Sequence, residues 1–229
     1  RIRFDPPPTS TLPDPDGLVA LWVEYEEKLF AALDSGAQVG GDPATCRFWH
    51  CLGFDHPDLA PYADMFAARV PPQEETLATI LREDARGQHR AAAAFLLAHL
   101  ASGPRVVALM LSAIRDPDSL VRNNAMRVLA LIAFAHPEVD IPVAPILAAL
   151  QFPETLDRNK ASAILSKLSV HERNKAAIRD GAGETLIQML ALRQPNNHDF
   201  AHQILQNLRG ADLGEHDVAA WRAWLRAPR

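Results

Sequence analysis

Asp116-Pro117-Asp118-Ser119-Leu120-Val121-Arg122-Asn123-Asn124-Ala125-Met126-Arg127-Val128-Leu129-Ala130-Leu131-Ile132 is the stretch whose spacing decides the fold. Counting from Arg122, Ala125, Val128, Leu129 and Ile132 fall on one stripe of a helix with 3.6 residues per turn. The same arrangement recurs outward in both directions. Upstream it is Arg90-x-x-Ala93-x-x-Leu96-Leu97-x-x-Leu100; downstream it is Arg158-x-x-Ala161-x-x-Ile164-Leu165-x-x-Leu168, then His198-x-x-Ala201-x-x-Ile204-Leu205-x-x-Leu208. The starts lie 32, 36 and 40 residues apart, and self-similarity at such a period marks stacked helical repeats. Each segment follows a second apolar run, carried by Ile80/Leu81, Leu111/Ile114, Leu147/Leu150 and Ile187/Leu190. The step from run to segment is eight residues in the last three units and nine in the first. Two amphipathic helices joined by a short constant step make an antiparallel hairpin.

The turn of the second unit carries a finer signature: Asp116 in the turn, Val121-Arg122 at the next helix start, and small Ala125 three residues on. Asp84 and Arg90 fit the same rule one unit earlier. This pattern resembles HEAT and HEAT-like repeats, including those of bilin-lyase-related proteins, over roughly residues 73–210. The resemblance implies an all-α fold, a right-handed α-solenoid of about four hairpins, in which Asp and Arg tie neighbouring turns and the second helices line a concave surface. Phe152 stands where the third Asp would be, and Leu192 and His198 replace both partners in the fourth unit. The ladder is therefore expected to weaken toward the C-terminal end.

Around the repeats the composition changes. Residues 1–16 hold Pro6, Pro7, Pro8, Pro13 and Pro15 and read as an extended arm. Residues 17–71 form a helical extension, with Leu18, Leu21, Trp22, Tyr25, Leu29, Phe30 and Leu33 at helical spacing, Asp16 placed as N-cap and a stop near Ser35-Gly36. A Gly-rich loop reaches about Pro57, a short helix spans Leu59 to Val70, and Pro71-Pro72 separates the extension from the repeats of 72–210. Gly181-Ala182-Gly183 reads as a helix-breaking turn. In the tail, 211–229, Val218, Trp221, Trp224 and Leu225 give a cap helix from about Glu215 to Arg226, covering the last apolar face of the stack.

The chain has 229 residues, 48% of them hydrophobic, and a net charge of −5. That balance argues against a nucleic-acid or anionic-membrane binder, which needs a clustered Lys/Arg excess. No run approaches the roughly 20 apolar residues of a bilayer span. The sequence begins at Arg1 rather than methionine, which reads as a processed or trimmed form and leaves the compartment open between cytoplasm and periplasm.

Chemistry-bearing residues cluster in Cys46-Arg47-Phe48-Trp49-His50-Cys51-Leu52-Gly53-Phe54-Asp55-His56. Cys46, His50, Cys51 and His56 offer two sulfurs and two imidazoles, a set that zinc accepts, although the spacing matches no established zinc motif. Free or packed thiols, a disulfide between Cys46 and Cys51, and a metal set are the three readings of these residues, with metal the least favoured. Phe48, Trp49 and Phe54 are expected to pin the loop onto the first repeat. The HEAT-like deoxyhypusine hydroxylase builds a di-iron site from several His-Glu pairs; His171-Glu172 is one pair and Glu215-His216 is reversed, so the count fails. HEAT-like DNA glycosylases use a basic groove that this composition lacks.

The remaining candidates lie opposite the apolar stripe of each second helix, in two rows: Ala91, Asn123, Asn159, Asp199 and Phe95, Arg127, Ala163, Gln203. Asn123, Arg127, Asn159 and Gln203 are the expected contacts to a partner. The resulting expectation is a non-enzymatic interaction module or assembly subunit with a protein partner and no cofactor. The alternative is a chromophore-lyase-like or metal-dependent protein using the Cys46–His56 loop.

Overall fold

The computed structural model describes residues 4–40 and 46–227. Residues 1–3 of the Pro-rich arm, 41–45 of the Gly-rich loop and 228–229 of the tail lie outside the described residues. The described chain is all-α, and its residues cluster into two compact units, 4–140 and 141–227. The division falls between the second and third hairpins, inside the stretch that reads as one repeat array.

In the first unit α1 (Leu18–Asp34) and α2 (Ala60–Arg69) precede two hairpins, α3 (Glu74–Glu83) with α4 (Gly87–Leu96) and α5 (Gly103–Ala113) with α6 (Ser119–Ala135). The second helices α4 and α6 pack along each other, and α1 lies on α4. In the second unit α7 (Val143–Ala149) pairs with α8 (Thr155–Leu168), and α9 (Glu172–Leu190) with α10 (Pro195–Arg209). Here α8 packs on α10, and α11 (Val218–Arg226) covers α9. The four hairpins are the four sequence units, as the HEAT-like resemblance implies.

The deciding stretch forms α6 for identifiable reasons. The Asp118 carboxylate accepts the Leu120 N–H at 2.8 Å, which satisfies one of the donors left over at a helix start. Val121, Ala125, Val128, Leu129 and Ile132 are fully buried against the neighbouring helices. The helix stops at His136, just before Pro137. At the other end of the repeats, α10 starts with Pro195 at its first position and closes on Gly210, whose φ of 78° suits glycine.

Arg and Asp tie neighbouring turns, as the HEAT-like resemblance implies. Arg90 does not pair with the Asp84 carboxylate of its own repeat. Its Nη1 donates to the Asp84 carbonyl at 2.7 Å, while Nε and Nη2 form a two-pronged bond to Asp116 of the next repeat, at 2.7 and 2.8 Å. Both side chains are buried. Asp84 instead receives the Leu12 N–H of the arm (3.1 Å) and Arg86 (2.7 Å); burial pushes its carboxyl up, but these bonds outweigh it and hold it at about 2. Arg122 Nη1 reaches the Asp116 carbonyl at 2.9 Å, and Arg158 Nη1 the Phe152 carbonyl at 2.8 Å. The carbonyl six residues upstream is thus capped in all three Arg repeats. Replacing Asp by Phe152 removes a carboxylate, not this cap, because the acceptor belongs to the backbone.

Three expectations are corrected. Asp16 does not cap α1: its φ is 52°, and its carboxylate accepts from Gln73 Nε2 at 2.6 Å. The capping oxygens come from Asp14, which accepts the N–H groups of Val19 (2.8 Å) and Ala20 (3.0 Å). Gly181-Ala182-Gly183 does not break a helix; α9 runs through it. A Cβ on Gly181 would stand 2.9 Å from Leu147 Cδ1, and one on Gly183 2.6 Å from Leu225 Cδ1, so these glycines are where α7 and α11 come closest to α9. The tail helix starts at Val218, later than expected, because Asp217 accepts the Ala220 N–H at 2.8 Å.

Candidate partner-binding face

In the first unit, the face of α4 opposite its apolar stripe is occupied by the chain itself. Ala91 and Phe95, the α4 members of the two outward rows, are 2% and 4% exposed. The Trp22 ring of α1 stacks on Phe95 with centroids 5.1 Å apart, and His50 packs on Phe95 at 4.4 Å. Trp22 also meets Phe66 of α2 at 5.5 Å and Tyr25 at 5.0 Å, so α1 reaches α4 through a continuous aromatic layer. Such rings bury large apolar areas in fixed geometry.

The Cys46–His56 loop belongs to this layer. Cys46 and Cys51 are joined by a disulfide with Cα atoms 5.6 Å apart. Trp49 donates its backbone N–H to Ala98 O at 3.1 Å and its indole N–H to Leu100 O at 2.7 Å. Its ring lies so close to Gly103 that a Cβ there would meet Cη2 at 2.6 Å. Phe48 packs on His99 at 4.5 Å, and Phe54 on Tyr25 at 5.1 Å. Burial, then the charges of Arg127 and His99, push the His50 imidazole down to about 3; burial, offset in part by backbone carbonyls, holds His99 at about 4. Both are neutral packing groups at neutral pH. His56 sits in the turn after Gly53, its Nδ1 accepting the Asp58 N–H at 3.3 Å. The structure thus spends the two sulfurs on each other and His50 on an aromatic contact.

On α6 the equivalent face is partly exposed. Leu120, Asn123, Arg127, Leu131 and Phe134 recur at three- and four-residue steps and share one side of the helix. Leu120 is 46% exposed and Phe134 45%; Arg127 is exposed, and Asn123 and Leu131 are half-buried. Asn123 Nδ2 donates to Asn124 Oδ1 at 3.2 Å, and Asn124 Nδ2 to the Ala91 carbonyl at 3.1 Å, which joins α6 to α4. Arg127 stands near the α1 side of this stripe, where its charge acts on Glu26 and on His50. Beside it, α1 exposes Val23, Phe30 and Leu33.

In the second unit the expected contacts divide. Asn159 is buried, as is Ala163 in the parallel row, whereas Asp199 and Gln203 are exposed on α10. Leu120 and Phe134 fall outside the eleven-residue register common to all repeats, and Leu131 lies within it one turn beyond the second row. Extending the same rotation along the 17 residues of α6 finds them. A separate grouping also escaped the sequence: His198, Glu215 and His216 place one ligand atom each within 4.8 Å of one another. They are 17 residues apart in the chain and converge only because the loop after α10 turns back on it.

No helix among the described residues is long and apolar enough to cross a membrane. Residues 74–164, α3 to most of α8, match the family model for HEAT repeats. No curated protein matches the chain.

Proposed function

We propose that this chain, which carries HEAT repeats, is a protein-interaction module that binds an amphipathic helical segment of a protein partner along the exposed stripe of α6. HEAT repeats generally mediate protein–protein contact and are typically non-enzymatic. One observation carries the reading: α4 and α6 present equivalent faces, and the first is covered by α1 of the same chain while Leu120, Arg127 and Phe134 of the second are exposed. The seating of α1 on α4, through Trp22 on Phe95, is a template for how a helix lies on this surface. A partner helix beside α1 would meet Leu120, Arg127, Leu131 and Phe134 on α6 together with Val23 and Phe30 of α1. Apolar anchors flanking one Arg are the composition of an interface core, and an apolar helix face set against a helical surface is a recurring recognition mode.

The test is site-specific photocrosslinking in the native source, with the reactive group placed at position 120, 127 or 134. Position 76, an exposed site on α3, is the control. The α6 positions should crosslink one common protein, and capture of that protein should fall about tenfold or more in Arg127→Glu and Phe134→Glu. Crosslinking from position 76 alone, or capture unaffected by both substitutions, would overturn the assignment.

A further inference from the structure

The position that holds Arg in the first three repeats holds His198 in the fourth. Its imidazole is buried, 4% exposed, and both nitrogens are engaged. Nδ1 lies 2.9 Å from the Leu190 carbonyl at the end of α9, and Nε2 lies 3.0 Å from Glu215 Oε1. A carbonyl oxygen only accepts, so Nδ1 carries the proton. In a neutral ring Nε2 is then an unprotonated acceptor facing a carboxylate oxygen, another acceptor. Either a proton between the two groups, on the ring or on the carboxyl, or a metal cation shared by the nitrogen lone pair and the carboxylate resolves this contact. The second is the usual construction of a histidine ligand, whose far N–H is pinned by a carbonyl while the near nitrogen faces the metal.

A third ligand is in place. His216 lies beside His198 with ring centroids 5.1 Å apart and planes tilted by 43°, and one of its nitrogens completes a group whose ligand atoms all lie within 4.8 Å. The 3.0 Å between Nε2 and Oε1 is close to the edge of about 3.3 Å expected for a tetrahedral zinc site with bonds of about 2 Å. The loop carrying Glu215 and His216 is tied down at several points. Asp212 Oδ1 accepts from His202 Nε2 at 3.0 Å and from Gly214 N–H at 2.8 Å, and Gly214 O receives the Trp221 indole N–H at 2.8 Å. Gly214 adopts a φ of 99°, which turns the chain back toward α10. His198, Glu215 and His216 line one cleft of about 540 Å³ with Leu190, Pro195 and Val218, so a fourth position is open to water.

We propose that His198 Nε2, a Glu215 carboxylate oxygen and a His216 ring nitrogen form a binding site for a zinc-class divalent cation. Two imidazoles and a carboxylate without sulfur suit zinc, cobalt or nickel rather than calcium or magnesium. Binding displaces any proton on Nε2 to solvent and leaves the carboxylate ionised, so no redox partner is required. The bound ion would staple the loop before α11 to the buried start of α10.

The test uses the full chain, free of affinity tag and stripped of metal with chelator, titrated separately with Zn²⁺ and Co²⁺. One equivalent of each should bind, Co²⁺ should give the intense visible absorption of a tetrahedral complex, and Zn²⁺ should raise the melting temperature. His198→Arg is the main variant, because Arg already occupies this position in three repeats and can cap the turn carbonyl without ligating a metal. It and His216→Ala should each abolish the cobalt spectrum, and Glu215→Gln should weaken binding about tenfold or more. A folded wild-type chain that binds less than one equivalent, or a cobalt spectrum that survives in both His198→Arg and His216→Ala, would overturn the proposal.

Discussion

His50 and His99 should make the first unit sensitive to acid by a calculable amount. In the aromatic layer between α1 and α4 His99 is buried and His50 half-buried, and loss of solvation is the largest cause of their depression, to about 4 and about 3. The unfolded chain restores an imidazole pKa of about 6.5. Between these values the unfolded state binds more protons than the folded state, so stability rises with pH. The contribution is fully present above about pH 6.5 and is lost as pH falls, for His99 until about pH 4 and for His50 until about pH 3. At about pH 5 each histidine has forfeited roughly 1.5 pKa units, about 2 kcal/mol at 1.36 kcal/mol per unit, or about 4 kcal/mol for the pair. That is a large share of the roughly 5–15 kcal/mol that holds a typical domain. The variants His50→Phe and His99→Phe keep a ring in each place and cannot charge. Urea unfolding at about pH 7 and about pH 5, followed by hydrogen exchange of the α4 amides, isolates this unit from the other. The wild type should lose about 4 kcal/mol more on acidification than the double variant, and each single variant should lie halfway. Contributions from carboxylates are common to all four proteins and cancel in the differences. Equal acid losses in the wild type and the double variant would refute the argument, because they would mean that neither imidazole is held neutral by its surroundings.

Other consequences follow from the turns and from the tail. Asp116→Ala strands the buried Arg90 guanidinium and should destabilise the first unit by about 3–5 kcal/mol in denaturant melts. Removing both charges, as Arg90→Met with Asp116→Leu, should recover much of that loss. Gly183→Leu puts a side chain where Leu225 already stands and should destabilise the second unit by about 1–3 kcal/mol, with a red shift in the emission of the otherwise buried Trp221.

Periodicity revealed the hairpins because burying one stripe per helix is the same physical demand in every repeat. It served less well wherever a residue's role depends on what arrives from elsewhere in the chain. Arg90 and Asp116 are 26 residues apart, and the repeat pattern implied a tie between neighbouring turns without showing that the Asp84 carboxylate would be taken by Leu12 and Arg86. Gly181 and Gly183 look like punctuation in a linear reading. Their actual role is to admit Leu147 and Leu225, which no local pattern announces. The covering of α4 was also invisible. The wheel that placed Phe95 among the outward residues was right about direction, but Trp22 and His50 come from segments more than 40 residues away. The α6 stripe was partly legible, since Asn123 and Arg127 follow from the register and Leu120, Leu131 and Phe134 from continuing the rotation.

The ladder position shows how a repeat can keep its architecture while one member takes on different chemistry. In the first repeat Arg90 has two tasks: one nitrogen caps the upstream carbonyl, and the others hold the carboxylate of the following turn. Only the first task belongs to the hairpin itself. The second requires another hairpin with an acidic turn beyond it. After α10 the chain instead enters the 210–217 loop and then α11. An imidazole can still meet the turn carbonyl through Nδ1, as His198 does with Leu190. Being shorter and having a second nitrogen with a lone pair, it turns the other task from salt-bridging into ligation. Glu215 then occupies, relative to His198, the place that Asp116 occupies relative to Arg90: a carboxylate supplied from downstream to the outer nitrogen of a turn-capping side chain. The added His216 distinguishes the two sites, because an ion pair needs no third ligand and a metal site uses one.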